Sequence, residues 1–390
     1  MKGTLILLAS LILNTSFALA SGELSKEDET KVQAKAVMGG VYETFIKVIP
    51  YVYSDEESLL VLKKDPAKKE ELLKNLGDLS SFFKSARHVE YFQRPGFRPS
   101  LETMNDHLAD TINSVNSNNF IFAQKRLSAL TSLCISCHSQ LSPKGQENAF
   151  SALINKAKRE DFKSDYDYGN YLYLIRNFNE SEKFLNLSIE KALKESRSHE
   201  LYSSLRRMIS IYTKISFDYE KAKDFTGKYK GSEQMPKLAK EMVMSWDLGL
   251  EEWKTFKPGK IDNIDKFIKT HLAPLEEVKE LAGEGKNDIT LLVASGVLSK
   301  YLNDHPKTKN TPEILYWISV AERRLSNTYF FTISDLYLKD CVKLYSKSPY
   351  ARKCYNLYEN NVENAFMGSG GMDVPSSERH ELAKLRSLLK

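Results

Sequence analysis

Apolar residues recur every three or four positions along nearly the whole chain, and almost no stretch shows the alternating pattern of a strand. The region Lys26 to Ser142 divides into four amphipathic helices. The first, from about Glu27 to Tyr53, places Ala34, Met38, Val41, Phe45, Val48 and Val52 on one face. The second follows Asp65-Pro66, an N-cap and first-turn pair, and carries Leu72, Leu76, Leu79, Phe83 and Ala86. A loop from Glu90 to Pro99 precedes a third helix, which Ser100 is expected to cap and along which Leu101, Met104, Leu108, Ile112 and Val115 align. After a polar turn, Asn116 to Asn119, the fourth helix sets Phe122, Leu127, Leu130, Cys134 and Leu141 in line and ends at Ser142-Pro143. Short connections between such helices predict an up-down-up-down bundle.

From about Asp165 the helices shorten and pair. Tyr168, Tyr171, Leu174, Ile175 and Phe178 recur 34 residues later as Tyr202, Leu205, Met208, Ile209 and Tyr212, with Leu185 and Ser188 answered by Tyr219 and Ala222. That period is the tetratricopeptide length, in which each helix pair leaves an apolar face for its neighbour to cover. The Trp and Gly positions of that repeat are unmatched. Met367 to Met372, rich in Gly, reads as a flexible linker before a last helix, Ser377 to Leu389. The fold class expected is therefore all-α. Four segments follow: 1–20 a signal peptide, 21–145 the four-helix domain, 146–365 a tetratricopeptide-like helical domain, and 366–390 the linker and last helix.

Composition narrows the setting. The 390 residues carry a net charge of +5 with no dense Lys/Arg block, which argues against a nucleic-acid partner. Lys2, the apolar run Leu5 to Leu13 and Ala18-Leu19-Ala20 have the charge, length and small-residue ending of a cleaved secretory signal. The mature chain is expected to begin near Ser21, to keep no membrane span and to reside in the periplasm.

An exported protein with four cysteines invites two explanations, because they form dissimilar pairs. Cys341 and Cys354 flank the turn Ser346 to Pro349 and can staple a helical hairpin as a disulfide. Cys134-Ile135-Ser136-Cys137-His138 has the spacing of c-type haem attachment, with two thiols for the vinyl groups and an imidazole for the iron. A redox dithiol would need a βαβ setting and zinc would need further ligands close by; the pattern supplies neither.

With that motif at the end of a fourth helix, residues 25–145 resemble the class II c-type cytochromes, the cytochrome c′ and cytochrome c-556 family. The resemblance implies a four-helix bundle with one covalent haem c held by Cys134 and Cys137 and ligated by His138. It also implies redox partner proteins and a homodimer formed through the bundle. The family's aromatic and basic residues after the His are replaced here by Ser139-Gln140-Leu141-Ser142. Met38 stands where c-556-like members place a sixth ligand, and Gly39-Gly40 beside it suggest close approach by a flat group. Met104, His107 and His88 are the lesser candidates. Arg94 and Arg98 in the Pro-rich loop suit haem propionates. The leading expectation is electron transfer with the helical array docking partners, and not an enzyme. The alternative is a five-coordinate haem that binds or senses a diatomic gas such as NO or CO.

Overall fold

A computed structural model describes residues 25–54, 59–141, 156–256, 261, 263–276, 287–325, 329, 333–369 and 371–389. The expected signal segment, its cleavage site and Ser142-Pro143 lie outside the described residues. Within them the protein is all-helical, with fifteen α-helices and a two-residue ladder as its only strands. No helix among the described residues is long and apolar enough to cross a membrane.

The first four helices are α1 (Lys26–Val52), α2 (Pro66–Ala86), α3 (Arg98–Asn116) and α4 (Phe120–His138). Local chemistry fixes their starts. Ser25, Asp65 and Asn119 each accept a hydrogen bond from a first-turn amide, and Pro66 follows Asp65 where a missing N–H costs nothing. In sequence order each helix packs on the next, and α4 returns onto α1. The apolar stripes of α1 and α2 lie in the core, with Met38 half-buried beside it.

Two expectations need correction here. Helix α3 starts at Arg98, so Ser100 is not its cap: Pro99 is accepted in the first turn, and the Ser100 side chain is buried, accepting from Gln140 Nε2 at 3.4 Å. On α4 the buried line is Phe120, Ala123, Leu127, Leu130 and Leu133. Phe122 is 43% exposed beneath the Arg126 guanidinium, and Leu141 lies beyond the helix end at His138.

The array begins with α5 (Asp165–Leu174) packed on α6 (Phe178–Glu195), followed by α7 (Ser198–Ser210) on α6 and by α8 (Tyr219–Lys230), which meets the π-turn, Ile211–Ile215, that continues α7. The positions related by the 34-residue offset include buried Tyr171, Leu174 and Ile175 on and just after α5, and Leu205, Met208 and Ile209 on α7. Between α6 and α7, Ser204 Oγ donates to Ser188 Oγ at 3.0 Å. The remaining helices are α9 (Lys237–Glu251), α10 (Ile264–His271), α11 (Asp288–Asp304), α12 (Thr311–Leu325), α13 (Ser334–Leu344), α14 (Pro349–Ala365) and α15 (Ser376–Ser387). Helices α11 to α14 stack in succession, and α11 also packs against the π-turn. The buried Lys214 ammonium of that turn pairs with Glu322 at 3.4 Å, and Ser295 donates to the same carboxylate at 3.2 Å. Cys341 on α13 and Cys354 on α14 are bonded, with Sγ atoms 2.10 Å apart.

In the Gly-rich stretch after α14, β1 (Met367–Gly368) pairs antiparallel with β2 (Gly371–Met372). Gly371 makes the reversal possible with φ at +107°, a conformation that side chains disfavour.

Helix α11 can approach the π-turn because residue 296 lacks a side chain; a Cβ there would run into the Lys214 carbonyl. Gly296→Ala is therefore expected to cost about 2 kcal/mol or more through overpacking. Gly77→Ala, mid-helix on α2 with nothing within 4 Å of its Cβ, is expected to stabilise by up to about 1 kcal/mol. Parallel thermal melts of the two variants check the contrast, and equal shifts would refute the packing account.

Candidate functional site

Cys134 and Cys137 stand three residues apart in the last turns of α4, so their side chains share one helix face, and His138 closes the helix. Both thiols are free and half-buried. Burial pushes each up to about 12, so at neutral pH they stay protonated in the folded chain. The Ser100 hydroxyl bonds to the Cys137 thiol. Tyr91, before α3, has Arg94, Cys137 and Arg176 among its electrostatic neighbours. The Tyr53 hydroxyl, just past α1, has Cys134 among its electrostatic neighbours and is buried with no hydrogen-bond partner.

His138 is held from outside the first four helices. Its Nδ1 meets the Leu174 carbonyl at the end of α5. A carbonyl can only accept, so the proton sits on Nδ1 and the Nε2 lone pair is left over. Burial lowers the imidazole to about 4, opposed by the Leu174 bond and aided by the nearby Arg176 charge. The ring is neutral at physiological pH. Arg176 itself donates to the His138 carbonyl and, at 3.2 Å, to the Leu141 carbonyl. The first of these also accepts the Leu141 amide at 3.3 Å, and the second lies in the turn just past the helix end.

The same end of α4 meets the later helices through a polar seam. Gln140 donates to Tyr337 Oη at 2.8 Å, and its carbonyl accepts from Asn303 Nδ2 at 3.1 Å. Arg94 donates to the Asn303 carbonyl at 3.3 Å, lies over the Tyr91 ring and pairs with Glu27 at 3.8 Å. Arg98 bridges Glu102 and Asp340, each at 3.1 Å. The expected propionate arginines are thus brought to the seam beside the motif, and both have partners within the chain.

The other candidates separate clearly. His107 uses both ring nitrogens on Arg126: Nε2 donates to the carbonyl at 2.6 Å and Nδ1 accepts from the guanidinium at 3.0 Å, so its ring is committed. Met104 is buried in the core, and His88 is exposed. Met38 falls on α1 between Lys31, which faces Tyr91, and Tyr42, whose hydroxyl bonds that of Tyr171 at 2.5 Å. The flat group expected over the glycines is, at Gly40, the Phe82 ring; a Cβ on Gly40 would strike it, whereas nothing lies within 4 Å at Gly39. Tyr53, Leu174, Arg176, Tyr337 and Asp340 were not foreseen from sequence. Only a non-glycine residue at a turn, Arg176-Asn177, hinted at one of them.

Two thiols on one face and a neutral imidazole with a free nitrogen can take a metal-bearing group by covalent and coordinate bonds together. Among the described residues no three His, Cys, Asp or Glu side chains converge as a protein-only metal site. Compared with known proteins, the chain matches no family, no curated sequence and no solved structure.

Asp340 gives the seam a pH dependence. Burial raises its carboxyl to about 6 against the pull of Arg98, with Glu102 adding to the rise, and its Oδ2 has no partner. The folded chain thus holds a proton that the unfolded chain has released, so stability falls as pH rises from about 4 to about 6 and then levels. Asp340→Asn removes this slope. Across that window the variant should gain about 2–3 kcal/mol relative to the parent. Denaturant melts at several pH values measure it, and a difference independent of pH would count against the buried-carboxyl account.

Proposed function

We propose that the protein is a monohaem c-type cytochrome that transfers electrons in the periplasm, with haem c attached to Cys134 and Cys137 and His138 as its proximal ligand. The observation that carries this reading is the state of His138. It follows a pair of free thiols on one helix face, its Nδ1 proton is anchored on a backbone carbonyl, and among the described residues no hydrogen bond is made to its Nε2. A ligating imidazole needs that arrangement, since the bond made by one nitrogen fixes the tautomer and direction of the other. The orphaned Tyr53 hydroxyl beside Cys134 fits a group with polar edges in the same place. The closed circuit of α1 to α4, with the motif at the last helix end, supports the class II cytochrome bundle.

When bound, haem would supply one-electron chemistry at its iron. The chain's own part is to orient and to exclude water. Leu174 fixes the imidazole, Arg176 holds the helix end closed, and the seam from Gln140 to Tyr337 covers it from the array side. Met38 is the candidate sixth ligand. Arg94 and Arg98 remain candidates for the propionates, in competition with Glu27, Glu102 and Asp340. The array after residue 146 would serve redox partner docking.

Expression of the full chain with its leader and with haem-attaching machinery tests the reading. Intact-mass measurement should show one haem that survives denaturation and is lost in the Cys134→Ala/Cys137→Ala variant. A low-spin spectrum whose Met–iron charge-transfer band disappears in Met38→Ala supports electron transfer. A high-spin spectrum that shifts with carbon monoxide moves the function to gas binding. A parent chain without covalent haem under these conditions would overturn both.

A further inference from the structure

Arg176 occupies the left-handed region, with φ at +66°, at the end of α5. For a residue with a side chain this costs roughly 1–2 kcal/mol, and Gly or Asn is the usual occupant of such a position. What an Arg gains here is reach. The turn points its guanidinium back onto the end of α4, where it donates to the carbonyls of His138 and Leu141. Two residues earlier, the Leu174 carbonyl receives the Nδ1 proton of the same histidine. One three-residue corner of the array thus grips both the backbone and the ring of His138. The five residues after the histidine, Ser139 to Pro143, include no basic one; this corner delivers one in space, from 38 positions downstream.

We propose that the corner Leu174–Ile175–Arg176 is a built part of the His138 site. In this assignment Arg176 is a positioning residue: it secures the helix end so that the ring stays on the Leu174 carbonyl. It also sets a fixed positive charge behind the imidazole. The inference rests on the haem reading for its redox consequence, but its positioning part does not. A cation at that place opposes further positive charge on a metal held at Nε2, and so favours the reduced form. The corner also makes folding of the first array hairpin a condition for a correctly presented imidazole. The four helices alone then lack a finished site.

Two measurements test this, using Arg176→Asn, which accepts a left-handed backbone but carries no charge, and Arg176→Lys as the conservative variant. The first uses the full mature chain made without haem and nitrogen-15 NMR of the His138 ring. The Nδ1–H tautomer should dominate in the parent and drift toward the mixture of a free imidazole in Arg176→Asn, with the helical circular dichroism and melting profile retained. An Nε2–H tautomer in the parent, or an unchanged ring in a folded Arg176→Asn chain, overturns the positioning role. The second uses the haem-loaded protein. Its reduction potential should fall in Arg176→Asn and recover in part in Arg176→Lys; equal potentials in all three overturn the electrostatic role. Should the haem-free chain not fold, the loaded protein still decides, because a displaced imidazole alters the spectrum as well as the potential. Should no haem attach while the tautomer behaves as described, the function proposed above fails and the corner stands as a histidine clamp.

Discussion

The end of α4 is buried, and that is the constraint from which the rest of the structure follows. A helix leaves its last carbonyls without intrahelical donors, and water cannot reach them once other helices cover that end. The amides of Ser139, Gln140 and Leu141 take the Ile135, Cys137 and His138 carbonyls locally, and donors from far away in sequence supply the rest of this end: Arg176 for His138 and Leu141, and Asn303 for Gln140. Each of these has its own requirement. Arg176 needs a left-handed turn between α5 and α6, and Asn303 needs α11 brought up against the loop before α3, where Arg94 ties down its carbonyl. These contacts tie the end of α4 to the array, alongside the packing of α4 on α5 and of α3 on α13.

The apolar part of the same contact is continuous. The buried side chains form one hydrophobic cluster running from Ala34 to Leu385, and the polar seam lies within it. Inside such a cluster polar atoms are tolerated only in pairs, since an unpaired buried group costs about 1–3 kcal/mol. Most of the seam obeys this, with Gln140 on Tyr337 and Arg98 on two carboxylates. Farther into the array the buried Lys214–Glu322 pair obeys it as well, and Gly296 makes the room that the π-turn around Lys214 requires.

Much of this was legible one helix at a time. Periodicity and capping chemistry place α1 and α2 within a residue or two, because Ser25, Asp65 and Pro66 act on their own neighbours. The signals failed where a side chain is claimed by something distant. Ser100 looks like a cap but is taken by Gln140, 40 residues on; Phe122 follows the helical period but is covered only by Arg126 at the surface. Of the paired glycines next to Met38, Gly40 is a point of close approach, to the Phe82 ring, whereas nothing lies within 4 Å of a Cβ on Gly39. In the tail, the Gly-rich stretch holds a short antiparallel ladder that periodicity did not foreshadow, with Gly371 in the left-handed region. The motif itself was plain in five letters, but its surroundings were not. The partners of His138 and Gln140 sit 36 to 197 positions later, beyond the reach of any local pattern.

Where the accounting of buried polar atoms does not close is informative about the site. The Tyr53 hydroxyl and Asp340 Oδ2 are both buried without partners, one neighbouring Cys134 and the other one helical turn beyond Tyr337, which bonds Gln140. The two sets of groups that burial perturbs most near them are the thiols, driven up, and the His138 imidazole, driven down; both shifts leave the neutral form. The fold pairs most polar groups along the seam and leaves a phenol and a carboxylate oxygen open near one helix end; it leaves others open in the array, at Trp317 Nε1 and Ser319 Oγ. Departures of this kind gather where a sequence is constrained by chemistry rather than by packing. Two of them neighbour the helix end whose residues are proposed above to hold a bound group.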